Sequence, residues 1–94
     1  MQIQLKENQS KGYAIATEDG KTAGKMSYSI PAADFIIIDH TEVDSTFRGR
    51  SIGKQMLNEI VVMARQKNLK IMPLCPFANA VFQKLTDIQD VLKK

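Results

Sequence analysis

Apolar and polar positions alternate with a period of two through the first half of the chain and then switch to a helical period. Ile3 and Leu5 stand between polar neighbours, and Asn8-Gln9-Ser10-Lys11-Gly12 after them has turn composition. Tyr13, Ile15 and Thr17 alternate in a second short strand that Glu18-Asp19-Gly20-Lys21 closes. Residues 23–30 predict a third strand with Met26, Tyr28 and Ile30 on one face, stopped by Pro31. Residues 34–43 are rich in β-branched side chains and predict a central strand. The short connections between these four segments predict an antiparallel meander.

From residue 50 to residue 67, Ile52, Met56, Leu57, Ile60, Val61, Met63 and Ala64 recur at helical spacing, opposite a face that includes Lys54, Gln55, Asn58, Glu59, Arg65 and Gln66. Asn68 ends that helix, residues 69–74 predict a short strand, and Pro76 opens a second helix. Phe77, Val81, Phe82 and Leu85 mark its buried face, and Ile88, Val91 and Leu92 predict a further helical turn or two. The order is β-β-β-β-α-β-α. A strand, a helix and a second strand in one sheet make a right-handed crossover, so strands 34–43 and 69–74 should be parallel. The predicted fold class is therefore α+β, or mixed α/β. It is an antiparallel meander followed by a β-α-β crossover and a C-terminal helix, in one domain spanning residues 1–94. Ligands of α/β sheets commonly sit at the carboxyl ends of such parallel strands.

Composition narrows the chemistry. The 94 residues are 44% apolar and 24% charged, an ordinary globular balance. No apolar run approaches the roughly 18 residues that span a bilayer, and the first residues lack the apolar core of a signal peptide, so a cytoplasmic location is the default. The single cysteine, Cys75, and single histidine, His40, exclude an internal disulfide and argue against a metal centre. A net charge of +3 is too small to indicate nucleic acid, but it suits an anionic small ligand if the basic groups converge.

They converge in Phe47-Arg48-Gly49-Arg50-Ser51-Ile52-Gly53-Lys54, which joins the central strand to the long helix. Free amides at a helix start and the helix dipole favour an anion there. Gly49 and Gly53 allow close backbone approach, and Arg48, Arg50 and Lys54 add positive charge. The plainer alternative is a basic helix start capped by Ser51. The segment is neither a Walker loop nor a Rossmann fingerprint, since both the glycine spacing and the flanking residues differ.

Val43 followed by Arg48-Gly49-Arg50-Ser51-Ile52-Gly53 resembles motif A of the GNAT-type N-acetyltransferases, with Ser51 where the middle glycine is usual. His40-Thr41-Glu42-Val43 and Pro73-Leu74-Cys75-Pro76-Phe77 further resemble segments of a branch of very small members. The resemblance covers about Gly20 to Leu92 and leaves no room for the two helices that usually help form the acceptor site. It implies acetyl-coenzyme A as co-substrate, with its pyrophosphate on the backbone of residues 50–54 and its pantetheine beside Glu42 and Val43. Arg48, Gly49 and the aromatic position Phe82 complete the implied coenzyme set. Where many relatives carry a proton-donating tyrosine, this chain has Phe82.

Cys75, just before Pro76, sits where a helix start lowers a thiol's pKa, although lone cysteines are more commonly buried and inert. His40 and Glu42 alternate with Thr41 and so share a strand face, with Glu42 the better placed to deprotonate an amine. The expected activity is acetyl transfer to a small amine or a protein lysine, either directly or through Cys75. The competing expectation is a non-catalytic acetyl-coenzyme A sensor acting through a protein partner. Neither a nucleic-acid nor a membrane partner is expected, and the chain should be a monomer or a weak homodimer.

Overall fold

The computed structural model describes residues 1–47 and 49–93. Five strands, β1 (Gln2–Glu7), β2 (Lys11–Glu18), β3 (Lys21–Ser29), β4 (Phe35–Val43) and β5 (Lys70–Pro73), lie side by side in chain order. The first four pair antiparallel, and β5 pairs parallel to β4 across the helix α1 (Ile52–Lys67). A second helix, α2 (Pro76–Lys84), and a 3₁₀ segment (Thr86–Val91) close the chain. The predicted meander and crossover are both present.

Boundaries move by one to three residues. The long helix begins at Ile52 rather than Arg50, because Gly49 and Ser51 both have left-handed backbones that no helix can include. The tail is more ordered than a solvated end. Leu92 bridges Ile71, the Lys93 N–H donates to the Ile71 carbonyl at 2.8 Å, and the Lys93 ammonium lies 4.4 Å from the centre of the Phe35 ring. This covers the outer edge of β5, which would otherwise be free to pair with another chain.

The helix lies on one face of the sheet, and the core is built between them. Ala14, Ala16, Met26, Tyr28, Ile36, Ile38 and Ile71 from the sheet meet Ile52, Met56, Leu57, Ile60, Val61 and Ala64 from α1. Small side chains on β2 let the helix approach closely. Met72 is only partly buried, because it alternates with Ile71 and points to the opposite face.

Beside a register shift between β2 and β3 at Ala16 and Thr17, two features shape the sheet. Gly12 stands opposite Tyr28, whose ring occupies the space a Gly12 side chain would need. The Tyr28 hydroxyl donates to Glu7 Oε1 at 2.9 Å, and Lys67 at the end of α1 donates to the other Glu7 oxygen at 3.3 Å. Burial, reinforced by the Glu7 carboxylate, pushes the Tyr28 phenol well above its ordinary range. The second feature is a bulge in β4. Ile38 pairs with Tyr28 and His40 with Ser27, which leaves Asp39 as the extra residue. Asp39 accepts a hydrogen bond from the Ser29 hydroxyl at 2.6 Å. Among the described residues, no helix is long and apolar enough to cross a membrane.

A side chain at Gly12 would displace the buried Tyr28 ring. Gly12→Ala should therefore cost about 1–3 kcal/mol, the usual penalty for overpacking. Tyr28→Phe, which deletes only the bond to Glu7, should cost about 1 kcal/mol. Equilibrium urea unfolding of the two variants measures both.

Candidate active site

The segment between β4 and α1 is a tight loop that leaves the first amides of α1 free. Asp44 accepts from the Thr46 N–H at 2.9 Å and starts a 3₁₀ turn over Ser45–Phe47; that bond holds its carboxyl below the usual range. Gly49 and Ser51 then take left-handed conformations at φ 80° and 58°. The first bond of α1 runs from the Gln55 N–H to the Ser51 carbonyl at 3.0 Å, so the N–H groups of Ile52, Gly53 and Lys54 have no acceptor within the helix. The expected Ser51 cap is not formed. Capping needs an extended backbone, and Ser51 is left-handed.

Arg50, expected to add positive charge to the loop, is paired with an acidic side chain in the structure. Its guanidinium grips the Glu18 carboxylate with two bonds, the Nη2–Oε1 one at 2.7 Å, and lies 5.6 Å from the centre of the Phe47 ring. The side chain thus ties the loop to the end of β2. The hydrogen bond from Arg50 holds the Glu18 carboxyl below its ordinary value. Arg48 lies outside the described residues.

A cleft of about 370 Å³ opens between this loop and α2. Gly49, Ser51, Ile52, Gly53 and Lys54 line one side, Val43 lines the tip of β4, and Phe77, Val81 and Lys84 line the other side. A side chain at Gly53 would come within 2.7 Å of the Phe77 ring, so the absent Cβ lets the two helices meet. Phe77 is 40% exposed, whereas Phe82 is fully buried in the core. The aromatics that line the cleft are Phe47 and Phe77, so Phe77 is not on the buried face that the helical spacing predicts for it. Lys84 was missed altogether, although Phe77, Val81 and Lys84 recur at a spacing that puts them on one side of a helix.

At Val43 the cleft meets the end of β4, beyond the stretch that pairs with β5. Their pairing stops at Ile38 and Pro73, where the N–H groups of Leu74 and Cys75 both donate to the Ile38 carbonyl, at 3.2 and 3.0 Å. Strand β4 continues to Val43. The Asp44 N–H donates to the Ala23 carbonyl at 2.8 Å, and peptide groups alternate sides along a strand. Those of His40 and Glu42 therefore face β3, and those of Thr41 and Val43 face the open edge.

Side chains alternate as well. The Asp39 bulge sends His40 and Glu42 to the face opposite Ile36 and Ile38, and Thr41 to the helix side. There Thr41 Oγ1 lies 3.1 Å from Cys75 Sγ, and Cys75, at the start of α2, is 5% exposed. On the opposite face, His40 Nε2 lies 3.1 Å from Glu42 Oε1, and both side chains are exposed. The structure thus groups the predicted residues into a cleft set, a thiol at the foot of the splay, and a carboxylate–imidazole pair across the strand. Phe82 stands apart from all three.

The sequence profile of the family described as GCN5-related N-acetyl-transferase matches residues 12–91. The chain belongs to this family. A GCN5-like Staphylococcus aureus protein, solved by NMR, is similar at 32% identity over 96% of this chain and 87% of that one, with a TM-score of 0.72. The ribosomal-protein-alanine N-acetyltransferase of Brucella melitensis shares the fold at 17% identity and a TM-score of 0.69, over 83% of this chain and 64% of that one. A GNAT family acetyltransferase from Elizabethkingia anophelis, with acetyl-CoA bound, does so at 19% and 0.66, over 80% and 52%. No curated protein matches the chain significantly. This GNAT member has a mixed five-stranded sheet and spans 64% and 52% of the last two structures.

Left-handed Ser51 makes a test of the loop. Glycine there should change stability by less than about 1 kcal/mol, since relief of strain offsets the more flexible unfolded chain. Ser51→Val should cost about 1–2 kcal/mol, because a β-branched residue is unsuited to positive φ. Thermal unfolding compares the two. The Arg50–Glu18 pair predicts an acid effect. Glu18 has a folded pKa below its ordinary 4.5, so the pair's stabilisation is present above that value and fades as pH falls through the lower folded one. Urea midpoints of Glu18→Gln should accordingly fall less steeply than those of the parent below pH 4.5.

Proposed function

We propose that this single domain binds acetyl-coenzyme A in the cleft between the α1 start and α2 and transfers its acetyl group to an amine. The observation that carries this reading is the continuity of an anion cradle with the unpaired edge of β4. The N–H groups of Ile52, Gly53 and Lys54, with the Lys54 and Lys84 ammoniums, suit a pyrophosphate. The peptide groups of Thr41 and Val43 on the open edge suit an extended amide chain such as pantetheine. Phe77 and Val81 give the cleft an apolar wall. Bound there, the coenzyme supplies an activated acetyl thioester.

The remaining roles fall to the splayed strand ends. Glu42, bonded to His40, takes a proton from the acceptor amine on the open face of the sheet. The Cys75 thiol is nearly enclosed and engaged with Thr41, which suits a proton donor or positioning group on the departing-sulfur side better than a nucleophile. Transfer is then direct, with Cys75 at the start of α2 beside Thr41 and Phe77 two residues on in the cleft wall.

Calorimetric titration with acetyl-coenzyme A tests the cleft. Lys54→Glu and Lys84→Glu should each weaken binding by about tenfold or more, and unchanged affinity in both would refute the assignment. Glu42→Gln should lower kcat by about a hundredfold and leave coenzyme binding intact. Direct transfer further predicts that Cys75→Ser keeps most of the rate and that intact-mass spectra show no acetyl adduct. An adduct mapping to Cys75 would establish the two-step route instead.

A further inference from the structure

On the sheet face away from the helices, a second concavity of about 230 Å³ opens over β2, β3 and β4. Lys11, Tyr13, Lys25, Ser27, His40 and Glu42 line it. The strand register explains the grouping. Tyr13, Ser27 and His40 form one row across the three strands, and Lys25 pairs with Glu42 in the row beside it. The Asp39 bulge is what brings His40 and Glu42 to this face.

The concavity is charged unevenly. Its β4 end carries the Glu42 carboxylate with His40, and its β2 side carries Lys11 and the Lys25 ammonium. Lys25 stands directly opposite Glu42, where a cross-strand ion pair would be ordinary. Instead its Nζ lies 4.3 Å from the centre of the Tyr13 ring. Tyr13 thereby holds a positive charge toward β2 by a cation–π contact and leaves the carboxylate with His40 as its ion-pair partner among the described residues.

We propose that this concavity is the acceptor site, and that it selects a small primary amine that also carries an anionic group, either a carboxylate or a phosphate. The inference rests on the acetyl-transfer reading above. The amine is received by Glu42 and His40, and the anion by Lys11 and Lys25. Neighbouring strands lie about 4.8 Å apart, so roughly 10 Å separates β4 from β2, which suits an amine and an anion joined by a short chain. A polyamine or a lysine-rich peptide brings further positive charge against Lys11 and Lys25 and is disfavoured. The acceptor arrives as an ammonium ion and gives one proton to Glu42. Its nitrogen then forms the C–N bond to the acetyl carbonyl carbon as the C–S bond breaks. The nitrogen loses a second proton and the departing sulfur gains one, so the products are an acetamide, the free coenzyme thiol and one proton.

The test measures acetylated product by mass spectrometry with the full chain, acetyl-coenzyme A and five amines: γ-aminobutyrate, phosphoethanolamine, butylamine, ethanolamine and spermidine. The proposal expects kcat/KM for at least one anionic amine to exceed its neutral counterpart by about tenfold or more. Which anionic amine leads decides between carboxylate and phosphate. Lys11→Glu and Lys25→Glu should each remove that preference and improve spermidine. Equal rates for anionic and neutral amines, a preference for spermidine in the parent, no product from any amine, or charge reversals without effect would each overturn it. Calorimetry separates the two levels. If the parent binds acetyl-coenzyme A and shows no anionic preference, only the acceptor assignment fails, whereas absence of binding removes the acetyl-transfer reading and this one with it.

Discussion

One extra residue in β4 sets the geometry of the active end. An unbulged strand would keep Ile36, Ile38, His40 and Glu42 on a single face and would turn the His40 peptide groups toward β5. The bulge at Asp39 reverses both alternations. The side chains of His40 and Glu42 leave the helix face, Thr41 enters it, and the peptide groups of Thr41 and Val43 come to the edge that β5 has already left. The strand pair opens there because the Leu74 and Cys75 N–H groups both close on the Ile38 carbonyl and the chain turns into α2.

Around that opening, the two faces of the sheet differ in character. The helix side provides a cleft between two helix starts, and their close approach depends on a glycine, Gly53, lying against an aromatic ring, Phe77. The opposite side carries no helix among the described residues and offers a shallow concavity of polar side chains. That concavity is lined by side chains from three neighbouring strands, β2, β3 and β4. The loop before α1 is held by Arg50 on Glu18, so this basic side chain acts as a strut to the end of β2.

Membership of the GCN5-related N-acetyltransferase family accounts for the sheet order and the strand–loop–helix turn. Particular residues show how this chain realises that plan. Ser51 adopts at φ 58° the conformation that glycine would take without strain. Phe82 completes the core instead of facing the cleft, and Phe77, one residue past Pro76, takes the exposed aromatic position.

Most of the architecture was legible in the chain itself. The period-two segments, the helical repeat from Ile52 to Ala64 and the crossover rule led to the five strands, their meander and the parallel β4–β5 pair. Such features are local, or follow from chain connectivity, so periodicity reports them. The basic glycine-containing loop and the shared face of His40 and Glu42 were legible for the same reason. Three things were decided only in three dimensions: the bulge that chose which face those two residues occupy, the diversion of Arg50 to Glu18, and the exchange of Phe77 for Phe82 at the cleft. Each depends on a partner far away in sequence, Ser27 and Tyr28 for the bulge, Glu18 for Arg50, and Gly53 for Phe77. Sequence periodicity carries no record of such partners, because they become neighbours only after the sheet has formed and the helices have packed on it.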